Sequence, residues 1–237
     1  MANDSLVPDF KAACDKANEI LVCSRVIKTF PFSMDALIEE QTDITILGYS
    51  ALKGADIPPE KIVCSKDGAL VERDGRLIMF LNEVMPEVRR RFTEGHESGH
   101  YFLGHDTTKL TEYRRTKDSR FKPLYKKCEA EANMFCAQLF MPEQIIMEFS
   151  KRGCQITKDF LMQTFHVSEP AAEIRLKNVR QIFDWSDRKR NHSTLGYDDI
   201  ILEKYKAFID SIAPRKIGYV QDFEREYEME LERQSWI

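Results

Sequence analysis

The sequence predicts an α+β fold, in which a small sheet precedes two helices with polar side chains and a helical C-terminal part follows. Three observations support this fold. Short apolar runs at 43–48, 69–71 and 77–81 predict strands, and the Asp74-Gly75 turn between the last two predicts a hairpin. Apolar residues recur at helical spacing through 128–141, while 86–103 contains no helix breaker after its first residue. A third set of apolar residues at helical spacing spans 197–213, before Pro214.

The N-terminal region predicts two more helices. The first has an apolar stripe, and Ser33 is suited to cap a second helix through Met34–Glu40. The run Leu77–Leu81 directly precedes the polar helices, so it is either an edge strand that pairs with an extended substrate or an ordinary core strand. The stripe of the first helix consists of Phe10, Ala13, Ala17, Ile20 and Leu21.

Composition indicates a soluble protein of the cytoplasm. The 237 residues allow one or two domains, and a net charge of −4 argues against general affinity for nucleic acid. The start has no basic and apolar leader pattern, and no apolar run is long enough to span a bilayer, so we expect no membrane association. The six cysteines form no C-x-x-C pair and are expected to be reduced thiols.

An H-E-x-x-H box within the first polar helix is the most informative motif. His96 and His100 lie one helical turn apart, so both imidazoles can reach one Zn²⁺ at roughly 2.0–2.1 Å. Glu97 lies off this stripe, where it can take a proton from a water activated by the metal. Gly95 and Gly99 should each cost the helix about 1 kcal/mol, which is understandable if another helix or a substrate approaches closely.

A catalytic zinc normally has a third protein ligand, and the sequence offers two candidates. Asp106 follows His96 at the spacing of one peptidase class, but that class needs a Gly where this chain has Leu103. Glu129, on the second polar helix, is the stronger candidate. Asn133 shares its face at i+4, where the amide can hydrogen-bond a metal ligand and fix its orientation.

Other polar residues of this region are predicted to lie outside the metal shell. Glu131 points about 200° away from Glu129 and is expected to be solvated. Cys128 is about 100° away, which disfavours it as a fourth ligand. The basic segment 109–127 is predicted to be a solvated loop, although it borders the expected cleft and could steer an acidic partner.

The pattern R-F-T-x-x-H-E-x-G-H, followed by E-x-E-A-N-x-F-x-A-x-L-x-M-P, resembles the ImmA/IrrE family of zinc metallopeptidases over roughly residues 40–180. The resemblance implies a zincin-like metallopeptidase domain in which Zn²⁺ is bound by His96, His100 and Glu129, with Glu97 as general base. Family members cleave helix-turn-helix repressors in prokaryotes or phages, which switches on stress or mobile-element genes. Cys136 stands where relatives often have Ala, a change expected to alter packing only.

These observations predict a zinc peptidase domain over 1–142, a helical, helix-turn-helix-like segment over 143–183 and a helical extension of unknown role over 184–237. The expected function is a zinc-dependent endopeptidase acting on a helix-turn-helix repressor. The alternative is a non-catalytic, zinc-stabilised regulator that binds a repressor without cleaving it. For the donor that stabilises the oxyanion, His105, Tyr101 and Arg175 are candidates that the sequence does not rank.

The helix-turn-helix-like segment centres on Phe160–Ile182, with Ser168 as the expected cap of its second helix. A recognition helix presents its N-terminal residues to bases and phosphates, and here Glu169 and Glu173 would repel phosphate. We therefore expect this segment to pack on the domain or dock a repressor, without sequence-specific DNA binding. The basic residues that follow are Arg175, Lys177 and Arg180.

Overall fold

The computed structural model describes residues 6–52, 56–184 and 196–214, with side chains described up to 179 in the second of these ranges. The described parts contain a three-stranded sheet and eleven α-helices, which confirms the α+β prediction. The strands are β1 (Thr45–Gly48), β2 (Gly68–Arg73) and β3 (Arg76–Leu81). The helices are α1 (Phe10–Cys23), α2 (Met34–Gln41), α3 (Pro59–Ile62), α4 (Glu87–Phe102), α5 (Thr107–Thr116), α6 (Lys122–Phe140), α7 (Glu143–Lys151), α8 (Lys158–Phe165), α9 (Glu169–Asp184), α10 (Asp198–Lys204) and α11 (Lys206–Ile212).

Both N-terminal helices form as predicted, and each begins at a side-chain cap. Asp9 accepts a hydrogen bond from the Ala12 N–H at the start of α1, over 2.9 Å. Ser33 accepts from the Ala36 N–H at the start of α2, over 3.2 Å. All of the apolar stripe except Phe10 is buried in the core, which confirms which face of α1 packs inward.

The predicted hairpin is present, and of the two alternatives for Leu77–Leu81 the structure shows the core strand and not the edge strand. β3 pairs antiparallel with β2 and parallel with β1, so it lies in the centre of the sheet. The turn uses left-handed backbone at Asp74 (φ 52°) and Gly75 (φ 72°), as a tight hairpin of this kind requires. β1 and β2 are therefore the edge strands, and β2 is the one that faces α4.

Two glycines let α4 approach α6 closely. A Cβ atom on Gly95 would lie 2.8 Å from the Phe140 ring, and one on Gly99 would lie 3.0 Å from the Phe135 ring. Both distances are shorter than normal contacts between carbon atoms. The expectation that another helix approaches at these glycines is confirmed, and that helix is α6.

Helix α6 is enclosed on two sides, because α4 packs on one face and α1 on another. Its predicted apolar positions are fully buried. Glu131 is buried as well, with 6% of its surface exposed, so the prediction of a solvated Glu131 is wrong. The helical period correctly placed it opposite Glu129, but that opposite face is covered by α1. The buried apolar residues are Ala132, Phe135, Cys136 and Leu139.

The basic segment between the polar helices is not a loop, contrary to prediction. It contains α5, which begins after Asp106 and ends at Lys117, a residue with left-handed backbone (φ 57°). Asp106 accepts from the Lys109 N–H over 3.0 Å and therefore caps α5. Helix α5 packs against β2, which turns part of the basic segment towards the interior.

Helices α8 and α9 pack on the rest of the protein through two buried arginines. The Arg91 guanidinium of α4 donates to the carbonyl of Phe165 at the end of α8, over 2.6 Å. The Arg175 guanidinium of α9 donates to the carbonyl of Met141 over 2.9 Å and also to the amide oxygen of Gln138. One cluster of buried apolar residues extends from α1 to α11, so the segment after residue 142 shares the core of the segment before it.

The predicted C-terminal helix over 197–213 is interrupted at Tyr205, where α10 ends and α11 begins. The Tyr205 hydroxyl donates to the Leu21 carbonyl over 2.8 Å, which fixes this junction against α1. Residues 185–195 and 215–237 of the predicted helical extension lie outside the described residues. Among the residues that are described, no helix is long and apolar enough to cross a membrane. The three segment boundaries remain a prediction.

Candidate metal centre

The packing of α4 on α6 brings three predicted ligand side chains together. His96 Nε2 and His100 Nε2 are 3.2 Å apart on α4. Glu129 of α6 faces both, with 3.3 Å from its Oε2 to His96 Nε2 and 3.6 Å from its Oε1 to His100 Nε2. These side chains form a group that could hold one metal ion.

The distances between these donor atoms fit a tetrahedral metal ion, with each imidazole nitrogen near a different oxygen of Glu129. Bonds of about 2.0–2.2 Å in a tetrahedral site place neighbouring ligand atoms about 3.3–3.6 Å apart. The other imidazole nitrogens are already engaged, since His96 Nδ1 is 3.0 Å from Asn133 Oδ1 and His100 Nδ1 is 2.8 Å from His105 Nδ1. Each Nε2 atom is therefore directed towards the shared position, and the predicted hydrogen bond between Asn133 and a ligand is present, with the Asn133 amide oxygen accepting from His96 Nδ1–H.

The electrostatic surroundings favour an ionised Glu129. Burial by itself would raise the pKa of this carboxyl group, but hydrogen bonds from His100 and His96 and the charge of Arg114 outweigh burial and lower the pKa far below its usual range. An ionised carboxylate is the form that binds a metal ion. Glu129 is therefore suited to be a ligand across the neutral pH range.

Glu97 lies beside the three ligands but is held by the protein rather than directed at the ligand atoms. Its Oε2 atom accepts a hydrogen bond from the Leu70 N–H of edge strand β2, over 2.9 Å. Its Oε1 atom is 3.4 Å from Arg114 Nη2. Only 4% of the residue is exposed. These contacts orient the carboxylate, and each oxygen keeps a lone pair for a further hydrogen bond.

Arg114 is the site residue that sequence reasoning missed. Its guanidinium lies between the two carboxylates, 3.2 Å from Glu129 Oε1 and 3.4 Å from Glu97 Oε1, and only 8% of its side chain is exposed. The Arg114 guanidinium also lies 6.0 Å from the centre of the Tyr125 ring. In the sequence this arginine belongs to a run of basic residues of the kind that usually faces solvent. Only the packing of α5 on β2 shows that it points into the site.

An open cleft of about 270 Å³ leads to these residues. His96, Glu97, Arg114 and Glu129 are among its lining residues, so a ligand in the cleft would reach both the candidate metal position and the general-base candidate. The other lining residues are Cys64, Ser65, Asp67, Gly68, Phe92, Thr93, Lys117 and Tyr125.

Two other ligand candidates lie elsewhere. The Asp106 carboxylate caps α5 by accepting from Lys109 N–H, and it is not in either group of potential ligands within the described residues. Cys128 lies in a second group with His105 and Glu131, whose ligand atoms are within 4.8 Å of one another. This group is behind His100, as seen from the candidate metal position, so Cys128 is not placed as a fourth ligand there.

The three candidates for an oxyanion donor are not in the cleft. His105 contacts the far side of the His100 ring, and Arg175 is bound to Met141 and Gln138 in the core. Tyr101 packs against the hydrophobic core. These three residues are absent from the lining of the cleft, where Arg114 donates a hydrogen bond to Glu129.

Comparison with known families places this geometry in context. The model of the IrrE N-terminal-like domain, the family Peptidase_M78, matches residues 60–177, which include α4, α5, α6 and the whole candidate centre. No curated protein gave a significant match to the chain.

Glu129 and Asp106 can be compared directly by zinc titration. We expect Glu129→Ala to weaken zinc binding by at least about tenfold, because one of three protein ligands is lost. Asp106→Asn should leave zinc binding nearly unchanged, because the amide still caps α5 and the side chain points away from the site. The reverse order of effects would place the third ligand on the loop after α4.

Proposed function

This chain belongs to the ImmA/IrrE family through its residues 60–177, and from that membership we propose that it is a zinc-dependent endopeptidase. The main support is the meeting of His96, His100 and Glu129 at 3.2–3.6 Å, with Glu97 beside them in an open cleft. Two imidazoles and a carboxylate are a common ligand set of zinc peptidases, and they leave one coordination position open.

Bound Zn²⁺ would act as a Lewis acid on the scissile carbonyl and lower the pKa of water towards about 7. The protein residues supply the proton transfers. Glu97 takes the proton of the attacking water and later passes it to the leaving amine. The Leu70 N–H holds one carboxylate oxygen and Arg114 lies 3.4 Å from the other, and each oxygen keeps a lone pair that can accept the proton.

Arg114 positions the general base and balances the charge of the site. Two carboxylates and one guanidinium give −2 and +1, a net charge of −1 when both histidines are neutral. A divalent cation changes this total to +1, which favours the negative charge that develops on the substrate carbonyl oxygen. In the metal-free protein, Arg114 thereby offsets part of the cost of burying two carboxylates.

A helix-turn-helix repressor is the proposed substrate, on the basis of the family resemblance. Cleavage would switch on stress or mobile-element genes, and such a substrate implies a cytoplasmic location. Lys117 is an exposed residue of the cleft lining and could contact an acidic group of the partner there. No membrane partner is part of this proposal.

A regulator that binds a repressor without cutting it is the second candidate. The observation in its favour is that both oxygens of Glu97 already have donors, Leu70 N–H and Arg114. A Glu97 carboxylate held in this way would contribute to binding the repressor and would not catalyse its cleavage. Cleavage by the wild-type protein decides between the two candidates.

The α8–α9 segment is proposed to pack on the peptidase-like domain and not to read DNA. Arg175 is buried against Gln138, and the Lys177 ammonium is paired with Glu173 over 2.9 Å. The side chain of Arg180 lies outside the described residues. The basic residues of α9 with described side chains are therefore buried or paired, and Glu169 and Glu173 are exposed at its start.

Glu97→Gln tests the proposed activity. We expect this variant to bind one equivalent of zinc but to cleave at least about 10²-fold more slowly, because the amide keeps the shape and cannot act as a base. The substrate would be a purified helix-turn-helix repressor encoded beside this gene, and mass analysis would detect the products. Removal of metal by a chelator should abolish cleavage by the wild type, and zinc should restore it.

His96→Ala is the control that should lose both zinc and cleavage. If wild-type protein binds the repressor and leaves its mass unchanged, the non-catalytic candidate is supported. If Glu97→Gln cleaves at the wild-type rate, Glu97 is not the base.

Arg114→Gln tests the positioning of Glu97. The variant should retain one equivalent of zinc and lower the cleavage rate constant by about 10²-fold, because the base loses a charged partner. Arg115→Gln is the matched control, since this neighbour on α5 is exposed and absent from the cleft lining. Equal effects of the two substitutions would contradict the assigned role.

Duplex binding can be tested with protein free of any repressor. We expect no footprint on the promoter of this gene at physiological salt, because α9 presents carboxylates where a recognition helix needs donors. Sequence-specific protection would instead show that the chain is a direct DNA-binding regulator.

A further inference from the structure

A chain of hydrogen bonds extends from His100 to the start of α1. His100 Nδ1 is 2.8 Å from His105 Nδ1, and His105 Nε2 is 3.0 Å from Glu131 Oε2. The other oxygen of Glu131 accepts the backbone N–H of Asp9, over 2.7 Å. The side chains of His105 and Glu131 are 8% and 9% exposed, so water cannot readily replace these contacts.

The positions of the hydrogens follow from the metal position. A neutral imidazole has one N–H and one lone pair. If His100 binds zinc through Nε2, its hydrogen must be on Nδ1, and His105 Nδ1 must accept it. The hydrogen of a neutral His105 is then on Nε2, where it donates to the Glu131 carboxylate. In this arrangement each polar atom of the hydrogen-bond chain from His100 to Asp9 has a hydrogen-bond partner.

We propose that His105 and Glu131 form a relay that orients the His100 ring and fixes its zinc-binding tautomer. The inference deepens the proposed function, because it rests on zinc binding by His100. Both residues act through His100 and are therefore positioning residues. Such outer hydrogen bonds typically change metal affinity by about 10–100-fold when they are lost.

A second metal site is the rival explanation for the same side chains. His105, Cys128 and Glu131 place their ligand atoms within 4.8 Å of one another. In the relay, however, His105 Nε2 has a hydrogen and no free lone pair, so it cannot bind a metal while His100 does. The relay therefore predicts one equivalent of zinc per chain, whereas the rival predicts two.

The variants Glu131→Gln and His105→Phe test the relay, with Cys128→Ala as the matched control. Zinc affinity would be measured by competition with a chelator, independently of peptidase activity. We expect about 10–100-fold weaker binding for His105→Phe and a smaller loss for Glu131→Gln, which keeps an acceptor oxygen. Cys128→Ala should bind zinc as the wild type does, because the relay does not use the thiol.

A spectroscopic measurement separates the relay from a purely structural effect. In the zinc-loaded wild type, ¹⁵N shifts should show His100 protonated at Nδ1 and His105 protonated at Nε2. Protonation of His105 at Nδ1 would overturn the relay. So would wild-type affinity in both relay variants, or two zinc equivalents that fall to one in Cys128→Ala.

The outcomes also distinguish the relay from the proposed function. Zinc binding that depends on His105, in a wild-type protein that cleaves no repressor, would support the relay and refute the peptidase. Cleavage with zinc affinity independent of His105 and Glu131 would refute the relay alone. A wild-type protein that binds no zinc would refute both.

Discussion

The close approach of α4 to α6 is the constraint on which the site depends. His96 and His100 need only a helix to share a face, but Glu129 reaches them only because no Cβ atom separates the two helices at Gly95 and Gly99. Both glycines lower the intrinsic stability of α4 by about 1 kcal/mol each. In return, the close packing places the Glu129 carboxylate 3.3 Å and 3.6 Å from the two imidazoles.

The site also buries several charged side chains. Arg114 contacts both Glu97 and Glu129, which reduces but does not remove the cost of taking these ions from water. The unfolded chain does not hold the three ligands together, so the free energy of metal binding adds to the stability of the folded state. With metal bound, the packing of helices α4, α5 and α6 should therefore be more stable than in the metal-free protein.

The sequence predicted those parts of the site that depend on local periodicity. The i, i+4 histidines, the face shared by Glu129 and Asn133, the hairpin at Asp74 and the cap at Ser33 all follow from rules that span a few residues. The failures concern contacts between distant elements. The sequence left open whether β3 was an edge or a core strand, and it did not show that α1 covers and buries Glu131. Arg114 was missed because the sequence of a highly charged helix does not show which of its faces will be buried in the fold.

The outer end of the relay is a main-chain atom, the amide of Asp9. Every amino acid except proline offers the same N–H, so the contact itself does not require an aspartate, although the Asp9 side chain also caps α1. The contact depends instead on the position of the whole helix α1. This helix packs on α6, with Ala13, Ala17 and Leu21 buried in the core. A replacement at position 9 would therefore act on the metal environment by way of the α1 cap, and a small displacement of α1 would reach His100 through two side chains.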